Sequence, residues 1–91
     1  MSIKEHINNY YEKLVAEALA DQLKGSDLDI EERADMACVA LNHLPPRYFR
    51  HEIDMAFYLS PTESKEMEAK VHTVVAEAIA YVSLSHREDQ S

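Results

Sequence analysis

Apolar residues recur at helical spacing in three stretches of this chain and alternate with polar ones in a fourth. Ile3, Ile7, Tyr10, Tyr11, Leu14 and Ala18, with Val15, Leu19 and Leu23, fall three or four apart, which is the period of one helix face. Ser2 and Glu5 have the spacing of a capping box. Gly25, the one glycine in the chain, suits the position just past a helix end, with Lys24 in the last turn. The pattern predicts a first helix over about residues 3–24, with Tyr10 and Tyr11 as core or interface anchors.

A polar connector follows. Asp27, Asp29 and Glu31 hint at a calcium loop, but Glu32 stands where the sharp turn needs glycine and Cys38 where the bidentate carboxylate belongs. Asp29 with Glu32 reads instead as the cap of a second helix, over about 30–43. Ile30, Ala34, Ala37, Leu41 and Leu44 would form its apolar face, and the two alanines would let a neighbouring helix approach closely. Pro45 disfavours helical geometry at Leu44 and ends the element.

From Phe49 to Leu59 the period changes to two. Ile53, Met55, Phe57 and Leu59 alternate with Asp54, Ala56, Tyr58 and Ser60, which favours a strand with one buried face over the rival helix reading. A lone strand needs backbone partners, and the simplest is the same strand of a second chain across a two-fold axis. Ser60, Pro61 and Glu63 then form a strong helix start. Met67, Val71, Val74, Val75, Ala78, Ile79 and Val82 form the face of a third helix ending near Ser83–Ser85, with residues 85–91 as a frayed tail. The predicted fold is mainly α: one domain over 1–91, three helices, and a short strand between the second and third that pairs across a homodimer.

Composition narrows the function. Ninety-one residues make a thin core, burying about 60–65% of the unfolded surface, and oligomerisation is one remedy. Nine basic residues against seventeen acidic ones oppose binding to DNA, RNA or anionic membrane. No apolar run approaches the roughly 18 residues of a membrane span, and Lys4, Glu5 and His6 interrupt any leader-like segment. The expectation is a cytoplasmic protein. Cys38, the only cysteine, lies in an apolar helical run and reads as a small core residue.

Enzyme signatures are scarce. One glycine excludes phosphate-cradling glycine loops. His51-Glu52-Ile53-Asp54-Met55 approximates a zinc-protease motif but lacks the second histidine. Glu68 and His72, four apart, read as a solvated helix pair rather than metal ligands. No enzyme, cofactor or metal is expected. What stands out is charge placement. No Asp or Glu occurs from Met36 through His51, and Arg47 and Arg50 give that window +2 within a chain of −8. The plainer reading pairs these arginines with helix carboxylates such as Glu12, Glu17 or Glu66. The functional reading is an anion pocket, because guanidinium forks grip phosphate or a guanine edge and Tyr48 offers a stacking face.

Leu41-Asn42-His43-Leu44-Pro45-Pro46-Arg47-Tyr48 resembles the LN-x-LPP-x-Y signature of the ComFB family of late competence development proteins. Asp35 to Leu41 resembles the helix before that motif, and Arg50 to Leu59 the segment after it in proteobacterial members. The resemblance implies a small, α-rich, non-enzymatic dimer associated with competence, pili, motility and second-messenger signalling. Some relatives are receptors for cyclic di-GMP. Relatives that hold zinc carry extra cysteines, and this chain has only Cys38. Carried onto this sequence, the resemblance makes Leu41, Leu44, Pro45 and Pro46 architectural, and Asn42 a cap of the second helix or a holder of the turn. Arg47, Tyr48 and Arg50 are the leading candidates for ligand contact. Asp54 is a candidate guanine-edge acceptor and Tyr58 a second stacking face. A two-fold dimer would bring two Arg47 and two Arg50 around a dianionic, two-fold symmetric ligand. The alternative is an adaptor that docks a protein through Tyr48, Phe49, Phe57 and Tyr58, without a nucleotide.

Overall fold

A computed structural model of the chain describes residues 3–51 and 59–90, with side chains as far as residue 85. Within these residues a short 3-10 turn, Ile3–Glu5, leads into strand β1, Asn8–Asn9. Helix α1 spans Tyr10–Gln22, α2 spans Ile30–Asn42, strand β2 is Tyr48–Phe49, and α3 spans Pro61–Gln90. The three helices pack pairwise around one core, and the antiparallel pair β1–β2 lies at the start of α1.

The helix starts follow local chemistry. Asp29 Oδ1 accepts from the Glu32 N–H at 2.8 Å, and Ser60 Oγ accepts from the Glu63 N–H at 3.1 Å. Each satisfies a first-turn donor that has no partner within its helix. Helix α3 runs on to Gln90, past the expected end at Ser83–Ser85. Gly25 adopts φ +82° beyond the end of α1, a conformation that costs glycine little. The Arg33 guanidinium holds the connector by donating to the Leu28 carbonyl at 3.1 Å and the Ser26 carbonyl at 3.4 Å.

The core stripes of α1 and α3 match the periodicity. Tyr11, Val15, Leu19 and Leu23 are buried from one side, and Met67, Val71, Val75, Ala78 and Val82 from the other. The start of α1 does not match. Residues 3–9 are not part of it, and Ile3 and Ile7 are exposed. Asparagine is a weak helix former and a strong cap, so the Asn8-Asn9 pair interrupts an otherwise helical spacing.

Helix α2 also departs from expectation, by a rotation about its own axis. The expected face began at Ile30, which is 77% exposed, and Ala34 is exposed too. The buried residues are Met36, Ala40 and Leu44, with Ala37 and Leu41 half-buried beside them. Two overlapping stripes fit a helical period here. The one that prevails carries Met36, whose full burial is worth about 1.5–3 kcal/mol, against much less for an alanine. Cys38 lies two residues, or about 200° of helical turn, from both Met36 and Ala40, and so it is exposed rather than part of the core.

The strand expected over Phe49–Leu59 falls mostly on residues 52–58, outside the described residues, as do any pairing of those residues across a dimer, Asp54 and Tyr58. Phe49, the first residue of that span, lies with Tyr48 in β2, which takes its partner within the chain. Asn8 faces Phe49 and Asn9 faces Tyr48.

The rotation of α2 makes a testable contrast. Met36→Ala is expected to lower unfolding free energy by about 2–5 kcal/mol. Ile30→Ala, on the face the periodicity suggested, is expected to change it by about 0.5 kcal/mol or less. Urea denaturation of the two variants checks this.

Candidate functional site

The site is built on the two ends that β1 and β2 bring together. Helix α2 closes with the His43 N–H on the Ala40 carbonyl at 3.0 Å and the Leu44 N–H on the Leu41 carbonyl at 3.2 Å. His43 Nδ1 donates to the Val39 carbonyl at 2.8 Å. Leu44 is buried and anchors the turn, while Pro45 and Pro46 are exposed. The chain then arrives at the start of α1.

Arg47 is held there at both of its backbone polar groups. Its N–H donates to Asn9 Oδ1 at 2.9 Å, and its carbonyl accepts from the Tyr10 N–H at 2.6 Å. Asn9 Oδ1 also accepts from the Tyr11 N–H at 3.2 Å and so caps α1. The first two N–H groups of α1, which have no partner within the helix, are thus satisfied by the Arg47 carbonyl and by Asn9. The motif segment and the helix start complete each other.

This clasp sorts the side chains that follow. Phe49 is half-buried and meets Tyr10 edge to face, with ring centroids 5.7 Å apart and an interplanar angle of 86°, a favoured aromatic geometry. Tyr48 turns outward and is 63% exposed. Arg47 and Arg50 on either side are exposed. Among the described residues neither guanidinium forms an ion pair, so the pairing with Glu12, Glu17 or Glu66 that the sequence suggested is not found there.

The candidates do not all gather in one place. Arg50 lines an open cleft of about 530 Å³ with Asn8, Asn9, Glu12, Lys13, Phe49 and His51. Asn42, the last residue of α2, lines a different cleft of about 510 Å³, whose other walls include His43, Glu77 and Tyr81. Asn42 and Arg50 therefore open onto separate surfaces. Glu68 and His72 line a third depression, of about 240 Å³, opposite Glu17 and Asp21. Among the described residues no group of three His, Cys, Asp or Glu side chains is arranged to hold a metal ion. No helix of the described residues is long and apolar enough to cross a membrane.

The sequence gives no site role to Asn8 or Asn9 and offers Glu12 only as an ion-pair partner for the arginines. Asn9-Tyr10-Tyr11-Glu12 has capping-box spacing, a signal that competed with Ser2 and Glu5. Asn9→Ala removes the cap and the partner of the Arg47 N–H together. A loss of about 1–3 kcal/mol is expected, about 1 from the cap and the rest from the second hydrogen bond. Asn9→Asp, which keeps the acceptor, should lose less. Thermal unfolding of both variants makes the comparison.

A family model described as late competence development protein ComFB matches residues 8–86. That span takes in Asn8–Asn9, all of α1 and α2, the double-proline turn and the core-forming part of α3. Comparison with curated proteins and with solved structures returned no match. With the family model covering nearly the whole fold and both halves of the clasp, the chain belongs to the ComFB family of late competence development proteins.

Proposed function

We propose that this protein is a non-enzymatic receptor for cyclic di-GMP, acting in the cytoplasm as a homodimer in the regulation of competence, pili or motility. One observation carries the reading. Arg47 and Arg50 are exposed and, among the described residues, free of ion pairs, and they bracket the 63% exposed ring of Tyr48. The backbone beneath them is tied to α1 at Arg47, so little ordering of that segment remains to oppose binding. Guanidinium groups grip phosphate oxygens bidentately, and an exposed tyrosine ring gives a base a stacking face. The field of the α1 N terminus has the same sign as the arginines and adds to their attraction for an anion. The chain as a whole is −8, so this segment is a local exception. A homodimer would present two such segments to a ligand that is itself two-fold symmetric.

Calorimetric titration with cyclic di-GMP tests the proposal. Saturable binding is expected, weakening as salt is raised because the ion pairs with phosphate are screened. Arg47→Ala should weaken it by about tenfold to a hundredfold, the worth of a charge-assisted hydrogen bond. The absence of both heat and thermal stabilisation at high ligand would overturn the receptor reading. A protein-docking role without nucleotide has one observation in its favour, the exposure of Tyr81 and Leu84 on α3.

A further inference from the structure

The cleft beside the clasp contains chemistry that phosphate binding does not use. Among the described residues its lining includes one carboxylate, Glu12, on the first turn of α1 and exposed. A carboxylate there repels a phosphate. It is, however, the right group for one kind of base edge. Guanine presents two adjacent donors on its pairing edge, N1–H and the N2 amino group, and the two oxygens of one carboxylate accept both. Adenine places an acceptor, N1, at the matching position, and a carboxylate repels it. Guanine's other edge, O6 and N7, is the favoured bidentate target of an arginine.

We propose that Glu12 is the residue that selects guanine, with the base lying in the cleft against Phe49, between the Glu12 carboxylate and the Arg50 guanidinium. This inference rests on the cyclic di-GMP reading and adds to it the group that reads the base. Three features of the cleft support the placement. Its volume of about 530 Å³ falls within the range of small-molecule sites, about 300–1,000 Å³. Phe49 supplies an apolar wall whose ring is braced edge-on by Tyr10. Asn9 Oδ1 is already committed to the Arg47 and Tyr11 N–H groups, and Asn8, which also lines the cleft, offers one neutral amide oxygen where a carboxylate offers two charged ones. Among the described residues, the lining holds the Arg50 guanidinium together with one carboxylate, that of Glu12. That arrangement suits a ligand combining phosphate with a base that donates hydrogen bonds.

The test is titration of the full chain and of Glu12→Gln and Glu12→Asp with cyclic di-GMP and, separately, cyclic di-AMP. Glutamine keeps the side-chain length and the capping-box chemistry but offers one acceptor instead of two, so the thermal midpoint should fall by no more than about a few degrees, the cost of one charge lost at a helix start. The native chain is expected to prefer cyclic di-GMP. Glu12→Gln should lose about tenfold or more in affinity for cyclic di-GMP while cyclic di-AMP binding stays level or tightens. Glu12→Asp should retain part of the preference. If the native chain binds cyclic di-GMP but Glu12→Gln leaves the guanine-to-adenine preference unchanged, the role of Glu12 is refuted and the receptor reading stands. If the native chain binds neither ligand, both fall together.

Discussion

The oxygen of one asparagine side chain, Asn9 Oδ1, accepts two hydrogen bonds that lie far apart in the sequence, from the Tyr11 N–H and from the Arg47 N–H. The first sets where α1 begins. The second sets where the chain goes after the double proline. Helix starts always need acceptors from outside the helix. Here part of that need is met by the segment that carries the exposed arginines, through the Arg47 carbonyl as well as through Asn9. Each bond is modest, about 0.5–1.5 kcal/mol. Their effect is positional, since they fix the backbone of Arg47 while leaving its guanidinium in solvent.

The core works toward the same end from below. Ala40 is fully buried and Met36 nearly so, and this face of α2 brings Leu44 into the core just before Pro45. A buried anchor followed by two prolines leaves little freedom in the direction the chain takes. Tyr10 links the two systems. Its N–H bonds the Arg47 carbonyl, and its ring braces Phe49. Packing, helix capping and site presentation are thus coupled through residues at the start of α1, and a change there reaches Arg47 and Arg50 without touching either.

How much of this was legible in the chain follows the range of each interaction. Asp29 and Ser60 cap the N–H groups three residues ahead of them, and such caps can be read locally. The stripes of α1 and α3 were legible because one periodic set dominated each. The face of α2 was legible only in part, because Ile30-Ala34-Ala37-Leu41-Leu44 and Met36-Ala40-Leu44 both fit a helical period and share the buried Leu44, and side-chain size decided between the rest. Cys38 was misplaced by the same ambiguity. Strand β1 was hidden for another reason. Asn8 and Asn9 are strand residues only because Tyr48 and Phe49, some forty positions later, lie beside them. Of the site, Arg47, Tyr48 and Arg50 stood out through an acid-free window and a motif, whereas Asn9 and Glu12 gained their positions from long-range pairing. Asn42 belonged to the motif but lines a different cleft from Arg50.

The clasp between Asn9, Tyr10 and Arg47 holds the motif segment to α1, and amide hydrogen exchange followed by NMR reads it directly. Arg47 is exposed and lies just after two prolines, so without the clasp its N–H would exchange at nearly the rate of an unstructured peptide. The amides of Tyr10, Tyr11 and Arg47 are expected to be protected to a similar degree, and Asn9→Ala to remove the protection of Arg47 while Val75, deep in the core, keeps its own. Free exchange at Arg47 in the native chain, alongside a protected Val75, would contradict the clasp.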